Sequence, residues 1–202
     1  MRLSDTKSEI HNTQMSNTAT LPEGQLLIPN SRLGYPKLWK PEAIKGMADS
    51  KPRYGCAIYL PKEDEATKAK IDKEIARLSK VHFKGTKPKS KDLCILDGDG
   101  EDADELTKGY WVISANRAES QGRPQVVDRK RKPIDSTDSD KVYPGCRCNF
   151  LISFFVPKNW AKICASLEIV QFVGDGDRFG APRPEADAVM PELEDEDGDG
   201  FE

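Results

Sequence analysis

Residues 146–156 read CRCNFLISFFV, and as an extended chain they divide into two faces. Cys146, Cys148, Phe150, Ile152, Phe154 and Val156 project to one side; Arg147, Asn149, Leu151, Ser153 and Phe155 project to the other. The first face suits a core, and the second, with Arg147 and Asn149, suits a wet surface that meets a ligand. RYGCAIYL (53–60) repeats the division, with Tyr54, Cys56, Ile58 and Leu60 opposite Arg53, Gly55, Ala57 and Tyr59. YWVISAN (110–116) and ASLEIVQFV (165–173) read as further strands. The apolar runs are short and are broken by 15 glycines and 14 prolines, the texture of an all-β domain.

Working outward, one segment has a helical period. KEDEATKAKIDKEIARLSKVHF (62–83) carries Ala66, Ile71, Ile75 and Leu78 about one turn apart and charge elsewhere. Several strands and one inserted helix predict a mainly β protein, a small closed or partly closed barrel. Residues 1–24 are polar and aperiodic and predict a flexible arm, in which Met15 is a plausible natural start; residues 25–183 form the folded body. No apolar run approaches the length of a membrane span, and the first thirty residues lack the apolar segment of a secretory signal. In a reducing compartment the five cysteines read as small buried thiols.

The 202 residues carry a net charge of -3, but unevenly. Nine acids and no Lys or Arg fall between Glu185 and Glu202, which leaves 31 basic against 25 acidic residues in the remainder. A basic body thus bears an acidic tail over residues 184–202, too poor in apolar surface to offset its ordering entropy, and predicted to be disordered. Solubility alone would explain an acidic end; Phe201, a lone aromatic among acids, suits a peptide that docks on a partner.

Catalytic constellations are scarce. The two histidines, His11 and His82, fall in the arm and at the helix end, and neither anchors a triad or a zinc site. There is no phosphate loop and no complete calcium loop. Asp97, Asp99 and Glu101 in the loop DGDGEDADE leave open a magnesium-dependent nuclease, and an adaptor that binds only protein is a third possibility. Against these stands a repeated association of cations with rings: Arg32, Tyr35, Lys37 and Trp39; then Arg53, Tyr54 and Tyr59; then KGTKPKSK (84–91); then Arg117, Arg129, Lys130 and Arg131. Cations that follow phosphates beside rings that stack unpaired bases are the equipment of a single-stranded nucleic-acid binder.

RLGYPKLWKP (32–41), KPRYGCAIYLPK (51–62), KGYWVISANR (108–117), RPQVVD (123–128), VYPGCRCNF (142–150) and VQFVGDGDRFG (170–180) resemble, in order and spacing, the successive motifs of a family of tailed-phage single-stranded-DNA-binding proteins. The resemblance covers about residues 29–183 and implies an OB-fold barrel, no catalytic activity, no cofactor, and a role in phage replication, recombination or repair. It places the protein in the cytoplasm of an infected bacterium. It also implies a tail, here Glu194, Asp195, Glu196, Asp197, Asp199 and the penultimate Phe201, that competes with DNA and recruits replication proteins. From the strand faces, the expected phosphate contacts are Arg32, Lys37, Arg53, Arg117, Arg129, Lys130, Arg131 and Arg147. The expected stacking rings are Tyr35, Trp39, Tyr54 and Tyr59.

Overall fold

The computed structural model describes residues 20–43, 50–100, 103–180 and 190–191. The arm before residue 20, with Met15 and His11, and the tail from residue 192, with Glu194 to Phe201, lie outside the described residues.

The described residues of the body form seven strands and one α-helix: β1 (Gln25–Glu42), β2 (Arg53–Pro61), α1 (Glu65–His82), β3 (Ile95–Asp97), β4 (Tyr110–Ala118), β5 (Gln125–Val127), β6 (Arg147–Phe155) and β7 (Cys164–Gly174). Five of them close on themselves. β1 pairs antiparallel with β2 and β6, β2 with β4, and β6 with β7; β4 and β7 complete the ring in parallel, through Ala115 and Ala165. This is the connectivity of an OB barrel, with β3 added outside β4 and β5 beside the far half of β7.

In β6 the predicted alternation is realised: Cys148, Phe150, Ile152 and Phe154 are buried, while Arg147 and Phe155 are exposed. All five cysteines are free, four of them buried and Cys164 half-buried. β1 departs from expectation. Its 18 residues contain Pro29, Pro36 and Pro41, which argue against a continuous strand. Its pairing slips between Ile28 and Ser31, Gly34 and Lys37, and Lys37 and Glu42, and Asn30 and Tyr35 take left-handed φ values of 41° and 44°. These bulges bend one long strand so that its first half completes the β6 side and its second half the β2 side.

α1 starts at Asp64, whose side chain accepts from the Thr67 amide at 2.9 Å. It packs against β1 and β6 through Thr67, Ile71, Ile75 and Leu78. Ala66, expected on this face, is exposed. Ala66 and Ile71 are five residues apart, off the three- and four-residue rows that share a helix face, and Thr67 takes the place. No helix among the described residues is long and apolar enough to cross a membrane.

After β7 the chain folds back along the barrel wall. The Phe179 amide donates to the Pro144 carbonyl at 3.0 Å, and the Tyr143 hydroxyl lies 2.9 Å from Asp175 Oδ1 and accepts from the Gly176 amide at 3.2 Å. The close approach requires glycine at 145, whose φ is 102° and where a Cβ would meet the Asp177 carbonyl oxygen at 2.0 Å. This strap lays Phe179 on the Tyr59 ring, centroids 4.9 Å apart.

Candidate nucleic-acid interface

Because Cys56, Ile58 and Leu60 point into the core, the alternate residues of β2 face outward. Register then sets them in rows across three strands: Lys37, Gly55 and Asn116; Glu42, Arg53 and Ala118. Gly55, Asn116 and Ala118 are short, and Lys37, Glu42 and Arg53 are long and charged. At Gly55 a Cβ would come within 2.5 Å of Asn116 Oδ1 and 2.8 Å of the Ala115 carbonyl oxygen, so that row is already as tight as the backbone permits.

Beside these rows, over the parallel seam of β4 and β7, runs a groove of about 1030 Å³. Arg53, Ser114, Asn116 and Ala118 contribute from β2 and β4. Phe155 contributes from the end of β6, the chain linking β6 to β7 contributes Lys158, Trp160 and Lys162, and Lys51 and Lys91 also line the groove. Two rings are accessible there, Trp160 at 62% exposure and Phe155 at 42%. Five cations meet one acid, Asp92. Asp92 lies 3.9 Å from Lys162, while Lys51, Arg53, Lys91 and Lys158 have no acidic partner among the described residues. The wall is held by backbone: the Ile163 amide donates to the Asp92 carbonyl at 2.9 Å, and the Ser114 amide to the Cys94 carbonyl at 2.8 Å. Cys164 lines the groove half-buried; burial pushes its thiol up, and nearby Lys162 and Arg53 pull the other way.

The residues chosen from sequence are dispersed over the barrel. Arg53 lines the groove, and Lys37 shares its outward row with Asn116 but is paired with Glu42 at 3.1 Å. Tyr35 stands out from the β1 bulge at 65% exposure. Arg32 is engaged by the strap: its guanidinium lies 4.4 Å from the Phe179 centroid and donates to the Gly145 and Asp177 carbonyls. Tyr59 lies on the outward face expected of it, but the strap and Tyr110 cover its ring and leave it 1% exposed, with no face for a base, which corrects its expected stacking role. Burial also pushes its phenol up to about 12. Trp39 is half-buried against the core with its indole N–H unpartnered, and Tyr54 is half-buried.

Arg117 is likewise a correction. It is ion-paired with Glu168 and donates to the Gly122 and Gln121 carbonyls at 3.0 and 3.1 Å, so it ties β4 to β7 and is not free for phosphate. Arg129, Lys130 and Arg131 are exposed at a turn built on Asp128, whose carboxylate accepts from the Lys130 and Lys132 amides at 2.8 Å each. That turn follows the pairing of Val127 with Gln171, roughly 20 Å along β7 from the groove residues Cys164 and Ala165. Arg147 begins β6, and Phe155, at the groove, ends it. One continuous trough is therefore formed, but largely by cations and rings other than those chosen. Alternation already sets Phe155 on the outward face, though not among the expected rings; Trp160, Lys158 and Lys162 were missed because VPKNWAK breaks the period of the strand before it, and an exposed aromatic among lysines, bounded by a proline, was the available signal.

The nuclease alternative loses its carboxylates. Asp97 and Asp99 both bind Lys62, which holds them below the usual carboxylate range, and Asp99 also accepts from the Gly109 amide at 2.7 Å. Glu101 lies outside the described residues.

The family model described as the single-stranded-DNA-binding protein of Enterobacter phage Enc34 matches residues 25–200. The solved structure of the Enc34 protein in complex with single-stranded DNA is 30% identical, covers 78% of this chain and 90% of its own, and superposes with a TM-score of 0.68. A protein called putative protein p50, from Acyrthosiphon pisum secondary endosymbiont phage 1, is 29% identical over 77% of this chain and 86% of its own length. The single-stranded DNA binding protein gp2.5 of bacteriophage T7, 15% identical with a TM-score of 0.51 over 80% of this chain and 97% of its own, shares the fold.

Proposed function

Because this chain belongs to the family of the Enterobacter phage Enc34 single-stranded-DNA-binding protein, we propose that it binds single-stranded DNA in the groove over the β4–β7 seam. The observation that carries the reading is the meeting, in one groove, of two exposed rings with five cations and a single acid. Bases stack on Trp160 and Phe155, while Lys51, Arg53, Lys91, Lys158 and Lys162 take phosphates. Tyr35 offers a third ring to a strand that continues across the outward rows. Asn116 and Ala118, short side chains on the groove side of these rows, let a strand lie close to the sheet there. Duplex DNA hides its base faces, so stacking selects for single strands.

The protein works in phage replication or recombination, in the cytoplasm of the infected cell, and Glu194, Asp195, Glu196, Asp197, Asp199 and Phe201 serve as an internal competitor and partner-docking tail. Two features support the competitor role. Nine acids with no base complement the cationic groove, and the 22 residues beyond Gly180 can span up to about 75 Å, ample to reach it.

Titration with a dT oligonucleotide at several salt concentrations tests the site. Five phosphate contacts predict a log–log salt slope of about -3.5. A slope near zero, or equal affinity for duplex, would refute the groove. Removal of residues 185–202 tightens binding at low salt, and unchanged affinity would end the competitor role. Labelled strands left whole with magnesium speak against nuclease activity.

A further inference from the structure

A second cationic feature leaves the groove at Lys91. The chain after α1 turns through Lys84 at φ 52° and Gly85 at φ 85°, with the Phe83 and Gly85 amides both donating to the Ser79 carbonyl, at 2.9 and 3.1 Å. Glycine adopts such angles freely, whereas a lysine holds its side chain there against a backbone cost. At this turn lies a pocket of about 600 Å³ whose lining includes Ile75, Ser79, Lys80, Lys84 and Lys87. Asp72 also lines it but is paired with Lys68 at 2.5 Å.

Lys80, Lys84, Lys87, Lys89 and Lys91 are all exposed, and none has an acidic partner among the described residues. The carboxyl end of α1 accounts for a cation or two near its last turn. It does not account for Lys87, Lys89 and Lys91, which lie beyond it. Lys87 lines the pocket and Lys91 lines the groove, and with three residues between them their Cα atoms lie at most about 14 Å apart.

We infer that the lysines from 80 to 91 form a track for the sugar-phosphate backbone of single-stranded DNA outside the groove. The inference rests on the groove reading and extends it. A strand leaving the groove past Lys91 meets Lys89, Lys87 and Lys84 in turn. None of the residues lining the pocket is aromatic, so this stretch grips charge and ignores base identity.

The full-length chain is titrated with two dT oligonucleotides, of about 5 and about 16 residues, the two ends of the range that one OB fold covers. The triple variant Lys84→Glu, Lys87→Glu, Lys89→Glu is expected to bind the short strand within twofold of wild type and the long strand about tenfold more weakly. Its long-strand salt slope becomes shallower by about 2, from three contacts at about 0.7 each. Lys84→Gly, which suits the backbone angle, keeps the fold and weakens only the long strand. Equal loss for both lengths, or no loss, overturns the track. Tighter binding overturns it as well, since the lysines would then be holding the acidic segment 185–202. A wild-type chain that binds neither length sinks the groove reading together with the track.

Discussion

Trp160→Ala is the sharpest perturbation of the groove. The ring is 62% exposed, with the Lys162 ammonium 5.4 Å from its centroid, so truncation removes little packing. A base stacked on an aromatic face contributes about 1 to 3 kcal/mol, and loss of that contact weakens binding about 5- to 150-fold. The chain has three tryptophans. Trp39 packs half-buried against the core, and Trp111 is flanked by Lys62 and Lys68 at 4.8 and 4.3 Å, which leaves Trp160 as the ring a base reaches. In a titration with dT followed by intrinsic fluorescence, the wild type is expected to quench. Trp160→Ala should lose both the affinity and most of the quench, and Trp160→Phe, which keeps a stacking face, should recover most of the affinity. Wild-type quench amplitude and affinity in Trp160→Ala would show that the bases lie elsewhere.

Arg117→Ala is expected to act on stability and not on DNA. It strands Glu168 in a pair whose side chains are only 20% and 24% exposed, at a cost of about 2 kcal/mol, read as a fall in Tm of about 4 to 8 °C with dT affinity unchanged within twofold. Gly34→Ala places a Cβ 2.1 Å from Tyr59 Cε2, on a ring backed by Tyr110 and Phe179, and should cost about 3 kcal/mol in chemical denaturation. Burial raises the Tyr59 phenol to about 12, whereas an unfolded tyrosine ionises near 10; stability is therefore full below about pH 10 and is lost as pH rises towards 12, and Tyr59→Phe should flatten that loss in urea midpoints. Of five free thiols only Cys164 is not fully buried, so one fast-reacting thiol per chain is expected with a disulfide-exchange reagent, and saturating dT should protect it; unprotected labelling would move DNA off this wall.

The strands that carry the barrel are plain in the chain because their alternation is local. In β6, Cys148, Phe150, Ile152 and Phe154 point inward whatever surrounds them, and in α1 the row of Ile71, Ile75 and Leu78 is set by helical period. β1 is harder to see, since its prolines and two left-handed residues argue for loops until its two halves are known to serve different neighbours. The interface was legible as chemistry and not as an address. That cations and rings gather on this protein follows from composition; which of them gather depends on loops whose sequence has no period.

Tyr59 and Trp160 mark the boundary. Alternation alone places Tyr59 on the outward face, and it is there. Whether an outward ring is open or covered depends on a segment 120 residues later, where Phe179 returns across it, and no local pattern encodes that encounter. Trp160, in an aperiodic link, becomes part of a groove wall only because Ile163 bonds to Asp92 from another part of the chain. Periodicity is a property of neighbours in sequence and specifies strands, helix and faces. Exposure and charge clustering are properties of neighbours in space, and the closing of the barrel and the return of the strap decide them.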